Sequence, residues 1–135
     1  MKISREQKKA IKNIAEKYKL SLIMVFGSFA AGNDRVDSDL DIAIVSRQTI
    51  DIDRLAKLST TFGLLFGKEI DISVMNHANP LHLNQVAKNS QLVFGSQKDF
   101  IAFKLGAFHQ FNDFTPYFKL EYENNKKIIN QYVSR

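Results

Sequence analysis

Gly27-Ser28-Phe29-Ala30-Ala31-Gly32-Asn33-Asp34-Arg35-Val36-Asp37-Ser38-Asp39-Leu40-Asp41-Ile42-Ala43-Ile44-Val45 is the stretch that decides how this 135-residue chain is read. In a β-strand, residues i and i+2 share a face, so Asp39 and Asp41 project together. Paired carboxylates repel unless cations neutralise them. Hard divalent cations with oxygen ligands are the usual remedy, and Mg²⁺ at phosphoryl-transfer sites is the common instance. Gly27-Ser28 stands where a strand gives way to a turn or short helix, a position whose free backbone N–H groups attract phosphate. Phosphate cradle and metal clamp, ten residues apart, point to nucleotide chemistry.

The flanks support this reading. Leu20 to Phe26 is an apolar run before the Gly-Ser pair, and Ile42 to Val45 is another after the second Asp. A third candidate strand, over residues 69–75, alternates Glu69, Asp71 and Ser73 with Ile70, Ile72 and Val74. That period of two sets Asp71 on the face opposite its apolar neighbours. Glu69 shares the polar face and reads as a solvated acid.

On these residues, Gly-Ser-x-Ala-x-Gly, Ser-Asp-x-Asp and a later strand Asp, the chain resembles the nucleotidyltransferase superfamily shared with DNA polymerase β, in its minimal form. It looks most like the MNT-domain antitoxins that partner HEPN-domain toxins. The resemblance covers nearly the whole chain. It implies an α/β (α+β) fold, a small mixed sheet flanked by helices with C-terminal helices following. It also implies that Gly27, Ser28 and Ser38 hold the triphosphate of ATP, and that Asp39 and Asp41 bind two Mg²⁺ ions. Asp71 would be the third carboxylate, binding metal and orienting or deprotonating the attacking hydroxyl. The implied reaction is AMP transfer from ATP to a tyrosine of a HEPN ribonuclease toxin, which neutralises it. Ala31 stands where many minimal members carry Arg. A steric antitoxin with a weakened or inactive site therefore stays open, as does transfer to a small molecule such as an aminoglycoside.

Composition narrows the classes further. With 44% hydrophobic and 24% charged residues the chain reads as one globular domain over 1–135, a core of about 1–95 and an aromatic-rich helical segment of about 96–135. No apolar run matches a membrane span, and the N-terminus lacks a signal-like apolar stretch, so a cytoplasmic location is expected. Zero cysteines exclude disulfides and thiolate zinc sites. The net charge of +5 is accounted for by residues 1–19, where seven Lys and Arg face Glu6 and Glu16. Tyr18, which belongs to the apolar stripe of this segment, is the one aromatic residue among these lysines, which argues against direct nucleic-acid binding.

Local signals fill in the helices. Ser4 and Gln7 form a capping box before a stripe of Ile11, Ile14, Ala15 and Tyr18. Asp51 or Asp53 starts a helix with Leu55, Leu58, Phe62 and Leu65 on one side, ended by Gly67. Asn79-Pro80 opens a short helix to about Lys88, and residues 91–94 make an edge strand. Ser96 and Asp99 cap a longer helix that Thr115-Pro116 is expected to interrupt, with a last helix to about Tyr132. Phe100, Phe103, Ala107, Phe111 and Phe114 share a helical face, while Phe108 falls off it. That surplus of aromatics reads as a partner surface. His77, His82 and His109 are too scattered for a zinc set, and His82, in the helix near the carboxylates, reads as an ordinary surface histidine.

Overall fold

The computed structural model describes residues 2–28, 30 and 39–133, with the backbone alone at 117, 118, 128, 129, 132 and 133. The expected turn after Ser28, the loop 33–38, and with them Ser38, Ala31 and Arg35, lie outside the described residues.

The elements follow the chain's local chemistry. Helix α1 (Arg5–Tyr18) begins with both halves of the capping box, Gln7 N–H donating to Ser4 Oγ at 3.1 Å and Ser4 N–H to Gln7 Oε1 at 3.0 Å. Strands β1 (Leu20–Phe26) and β2 (Leu40–Ser46) follow, then α2 (Ile52–Phe66), capped by Asp51 through a 2.8 Å bond from Arg54 N–H. Gly67 closes α2 at φ 66°, a left-handed conformation that favours glycine. Strand β3 (Ile70–Val74) runs into a 3₁₀ turn (Met75–His77), which inserts Met75 into the core. Then come α3 (Pro80–Lys88), β4 (Gln91–Phe94) and α4 (Gln97–Val133).

The four strands lie in the order β3-β2-β1-β4, with β2 parallel to β3 and the other pairs antiparallel. The sheet is therefore mixed, as expected, and helices cover both faces. On one face Ile23, Val25, Leu40, Ile42 and Ile44 meet Ile11, Ile14, Leu58 and Phe62 of α1 and α2. On the other, Leu22, Met24 and Ala43 meet Leu83 and Val86 of α3 and Phe100 and Ala107 of α4. Among the described residues no helix is long and apolar enough to cross a membrane.

One expectation fails. The C-terminal segment is a single helix of 37 residues, not two helices broken at Thr115-Pro116. Pro116 has no N–H for the Asn112 carbonyl and its ring crowds that carbonyl, the ordinary cause of a break. The neighbouring Thr115 hydroxyl donates to the Phe111 carbonyl at 2.8 Å, a back-bond that accommodates a bend without replacing the missing one. The helix nevertheless continues on both sides of the proline. Pro116→Ala should therefore slow amide hydrogen exchange over residues 112–125, with no change over α1 and β1. Faster exchange there would mean that the proline is not a local cost.

Candidate active site

Strand register builds the site at one end of the sheet. In the parallel β2–β3 pair, Leu40 lies beside Ile70 and Asp41 beside Asp71. Leu40, Ile42 and Ile44 enter the α1/α2 core, and Ile70, Ile72 and Val74 pack against it. Alternation then sends Asp41 and Asp71 to the opposite face. That face is covered further along by α3 and α4, leaving Asp41 half-buried and Asp71 exposed near the sheet's end. Asp39 sits just ahead of β2, which starts one residue later than expected. The N–H of the next residue, Leu40, donates to the Glu69 carbonyl at 2.9 Å and fixes the strand entrance.

The opposite flank comes from β1. Antiparallel pairing sets Phe26 across from Asp41, so the Phe26 ring shares the carboxylates' face. Gly27 follows at φ 73°, and a Cβ there would collide with the Asp41 carboxylate. Glycine is thus required twice at this position, for its backbone angle and for its missing side chain. Ser28 continues the turn, half-buried. The Gly-Ser turn and the three carboxylates, far apart in sequence, meet at one strand end.

Electrostatics record the crowding. The Asp41 carboxyl is pushed above its ordinary value of 3.8 by burial first, then by the charge of Asp71, then by that of Asp39. The three aspartates offer only oxygen donors, which suits a hard divalent cation. Among the described residues no three His, Asp or Glu groups close into a preformed metal cage. An open set of carboxylates fits Mg²⁺ well, because that ion commonly takes one or two carboxylates and completes its shell with phosphate oxygens and water.

His82, expected in the helix near the carboxylates, is half-buried and packed on an aromatic neighbour. His82, on the first turn of α3, meets Phe26 edge-on with ring centroids 6.0 Å apart, and so borders the carboxylate row. The signal available was that Phe26 directly precedes Gly27, but only helix packing reveals the contact. His77 and His109 lie on other elements and do not join the cluster.

Against known proteins, the model of the polymerase beta nucleotidyltransferase family matches residues 9–99. The chain belongs to that family. A relative from Shewanella oneidensis, named protein adenylyltransferase MntA, is 28% identical over 81 residues, covering 60% of this chain and 58% of that protein. The matched stretch thus spans little more than half of the relative's length. Among solved structures, a chain of a toxin–antitoxin complex with AMP-PNP superposes with a TM-score of 0.69 at 23% identity, covering 93% of this chain and 98% of that one. A chain from a complex of the tri-AMPylated Shewanella oneidensis HEPN toxin with its MNT antitoxin gives 0.64 at 20% identity, covering 96% and 99%. These two share the fold of the nucleotidyltransferase described here.

Two outcomes follow from the geometry. Because the folded state raises the Asp41 pKa, the protonated carboxyl stabilises the fold below the ordinary value, and that contribution is lost as pH rises through the raised one. In chelator at neutral pH, Asp41→Asn should therefore melt at a higher temperature than the native chain. The gain should vanish at about pH 2.5, well below the ordinary value of 3.8, where Asp41 is protonated in both states; a pH-independent gain would contradict the repulsion. Gly27→Ala should lower stability by about 1–2 kcal/mol from its backbone angle alone, read by urea unfolding.

Proposed function

We propose that this nucleotidyltransferase is an antitoxin that transfers AMP from ATP to a tyrosine hydroxyl of a HEPN-domain ribonuclease toxin, and so silences it. The observation that carries the reading is the convergence of Asp41, Asp71 and Asp39 beside Gly27, the arrangement that phosphoryl transfer needs. Family membership supports the reaction class. The MntA name of the relative, and the AMP-PNP and tri-AMPylated toxin of the fold neighbours, support the donor and the acceptor.

Asp39 and Asp41 would hold two Mg²⁺ ions, with Asp71 completing the set. The tyrosine oxygen bonds to the α-phosphorus as the bond to the β-phosphate breaks and pyrophosphate leaves. Metal bound at the aspartates would supply Lewis acidity, neutralising charge on the phosphates and lowering the pKa of the attacking hydroxyl. The residues of the chain do the remainder. Gly27, lacking a Cβ, admits a phosphate close to the backbone, and Ser28 offers its N–H and hydroxyl. Asp71, exposed on the outer strand of the pair, accepts the proton of the incoming hydroxyl. Catalysis of this kind is positioning and electrostatics, with little covalent work for the protein.

The acceptor side is supported by α4, which we assign as the docking arm of the toxin, residues 1–95 forming the catalytic core. Gly95, just before α4, packs against Ser21 and Leu22 at the start of β1. Leu81, next to His82 at the far end of that strand, lines an apolar cavity of about 330 Å³ with Phe111, Thr115 and Tyr122. The helix therefore runs toward the carboxylates. Phe108, 54% exposed, and Leu120, 62% exposed, add apolar surface along it. A large partner docked on this arm is held at the carboxylate end of the sheet, an arrangement that a small antibiotic would not need.

Incubation with α-labelled ATP, Mg²⁺ and the cognate toxin tests the reading. The native chain should label the toxin, and Asp41→Asn should lower labelling by on the order of 10²–10³-fold or more while still binding the toxin. Full neutralisation without label, by both versions, would make the chain a steric antitoxin instead.

A further inference from the structure

His82 has no part in the scheme above, yet it stands on the catalytic face. Asn79 fixes it there, accepting from the His82 N–H at 2.9 Å, while Pro80 occupies the first position of the helix. Leu83 and Val86 bury the inner side of α3 against the sheet, which sets the helix's rotation. The imidazole then packs edge-on against Phe26, at 6.0 Å and an interplanar angle of 75°. Phe26 is opposite Asp41 in the ladder and immediately precedes Gly27. Across the face the order is thus Asp71, Asp41, Phe26, with His82 held over the last. Asp71 and His82 flank Asp41 from opposite sides.

This order separates two roles. The hydroxyl-side carboxylate lies on the β3 flank, while the phosphate cradle, Gly27-Ser28, lies on the β1 flank with His82. The imidazole is half-buried, and among the described residues its ring makes no hydrogen bond. An aromatic plug on Phe26 would require only a ring. A ring with an uncommitted N–H, beside a cradle for anions, offers a donor as well.

We propose that His82 donates a ring N–H to a phosphate oxygen of the bound nucleotide, which makes it a nucleotide-contacting residue of this site. The inference rests on the reading of the site as a nucleotidyltransferase centre. Donor and plug are separable by substitution. His82→Phe keeps a ring against Phe26 and removes the donor; His82→Gln keeps a donor and removes the ring.

Titration of the full chain with a non-hydrolysable ATP analogue and Mg²⁺, beside thermal melts of each variant, decides between them. His82→Phe should bind the analogue about tenfold or more weakly, as the loss of a hydrogen bond to a charged group predicts, with its melting temperature unchanged. His82→Gln should stay within about threefold of the native chain, even where losing the ring contact lowers its melting temperature. Native affinity in His82→Phe would reduce the residue to a plug and overturn the inference. A loss in His82→Gln as large as in His82→Phe would overturn it too. Failure of the native chain itself to bind the analogue would remove the proposed function, and this inference with it, whereas loss confined to the Phe variant leaves both standing.

Discussion

Parallel register between β2 and β3 sets Asp41 beside Asp71, bringing like charges together where water is partly excluded. Because Asp71 is exposed and Asp41 only half-buried, water screens the pair, and the repulsion is on the order of 1 kcal/mol. The opposing term lies on the other side of the same strand. Leu40, Ile42 and Ile44 are fully buried, and each contributes about 1.5–3 kcal/mol. Sliding β2 by one residue would turn these aliphatics outward and bury the aspartates, so the core decides the register and the carboxylates are carried with it. The sheet tolerates the repulsion because it is outweighed by burial one residue away, and a cation has a role only because the repulsion persists.

The same alternation explains why the site sits at a strand end. Along the α3/α4 face, Met24 and Ala43 are buried under helices, whereas Phe26, two residues later in β1, and Asp41, two residues earlier in the antiparallel β2, are half-buried. Under the helices, an ionised carboxylate would lose its hydration with no partner, a cost of several kcal/mol. Past the cover, it keeps partial contact with water and access to a ligand. Gly27 lies where β1 runs out beside Asp41, and a side chain there would occupy the space that the carboxylate fills. Chemistry and core thus share two strands without sharing residues.

Much of this was readable in the chain because it depends on short-range rules. Ser4 with Gln7, Asp51, Asn79-Pro80 and Gly67 each act within one turn of helix, and each appears where its chemistry predicts. Period two sufficed to place Asp41 and Asp71 on one face, since both strands are short and strongly apolar on the other. What the sequence did not reveal depends on contacts distant in sequence or cooperative along a helix. Pro116 costs a hydrogen bond locally, but 37 residues of helix share that cost, and a residue-by-residue rule sees only the proline. His82 carries no periodic signature; its place beside Phe26 follows from how Leu83 and Val86 seat α3. Ser38 lies outside the described residues, so its role remains where the resemblance left it, as part of the proposed triphosphate contacts.

The length of α4 bears on how docking and chemistry connect. At about 1.5 Å per residue its 37 residues span roughly 55 Å, whereas the 7 residues of β1 span roughly 23 Å. Its buried anchors, Phe100 and Ala107, lie in the first third, so the sheet supports only that portion. A helix gains most of its stability from an apolar face packed on something else. Beyond Ala107, Leu120 and Tyr122 are exposed, and the apolar cavity shared with α3 is lined by Leu81, the residue before His82. On the proposed reading, a toxin that covers this arm stabilises the helix that binds it and is held at the carboxylate edge by the same contact. Selectivity for the acceptor then arises from the arm and not from the chemical site. That division fits a catalytic face of three aspartates and a glycine turn, which offers a reacting hydroxyl little to recognise.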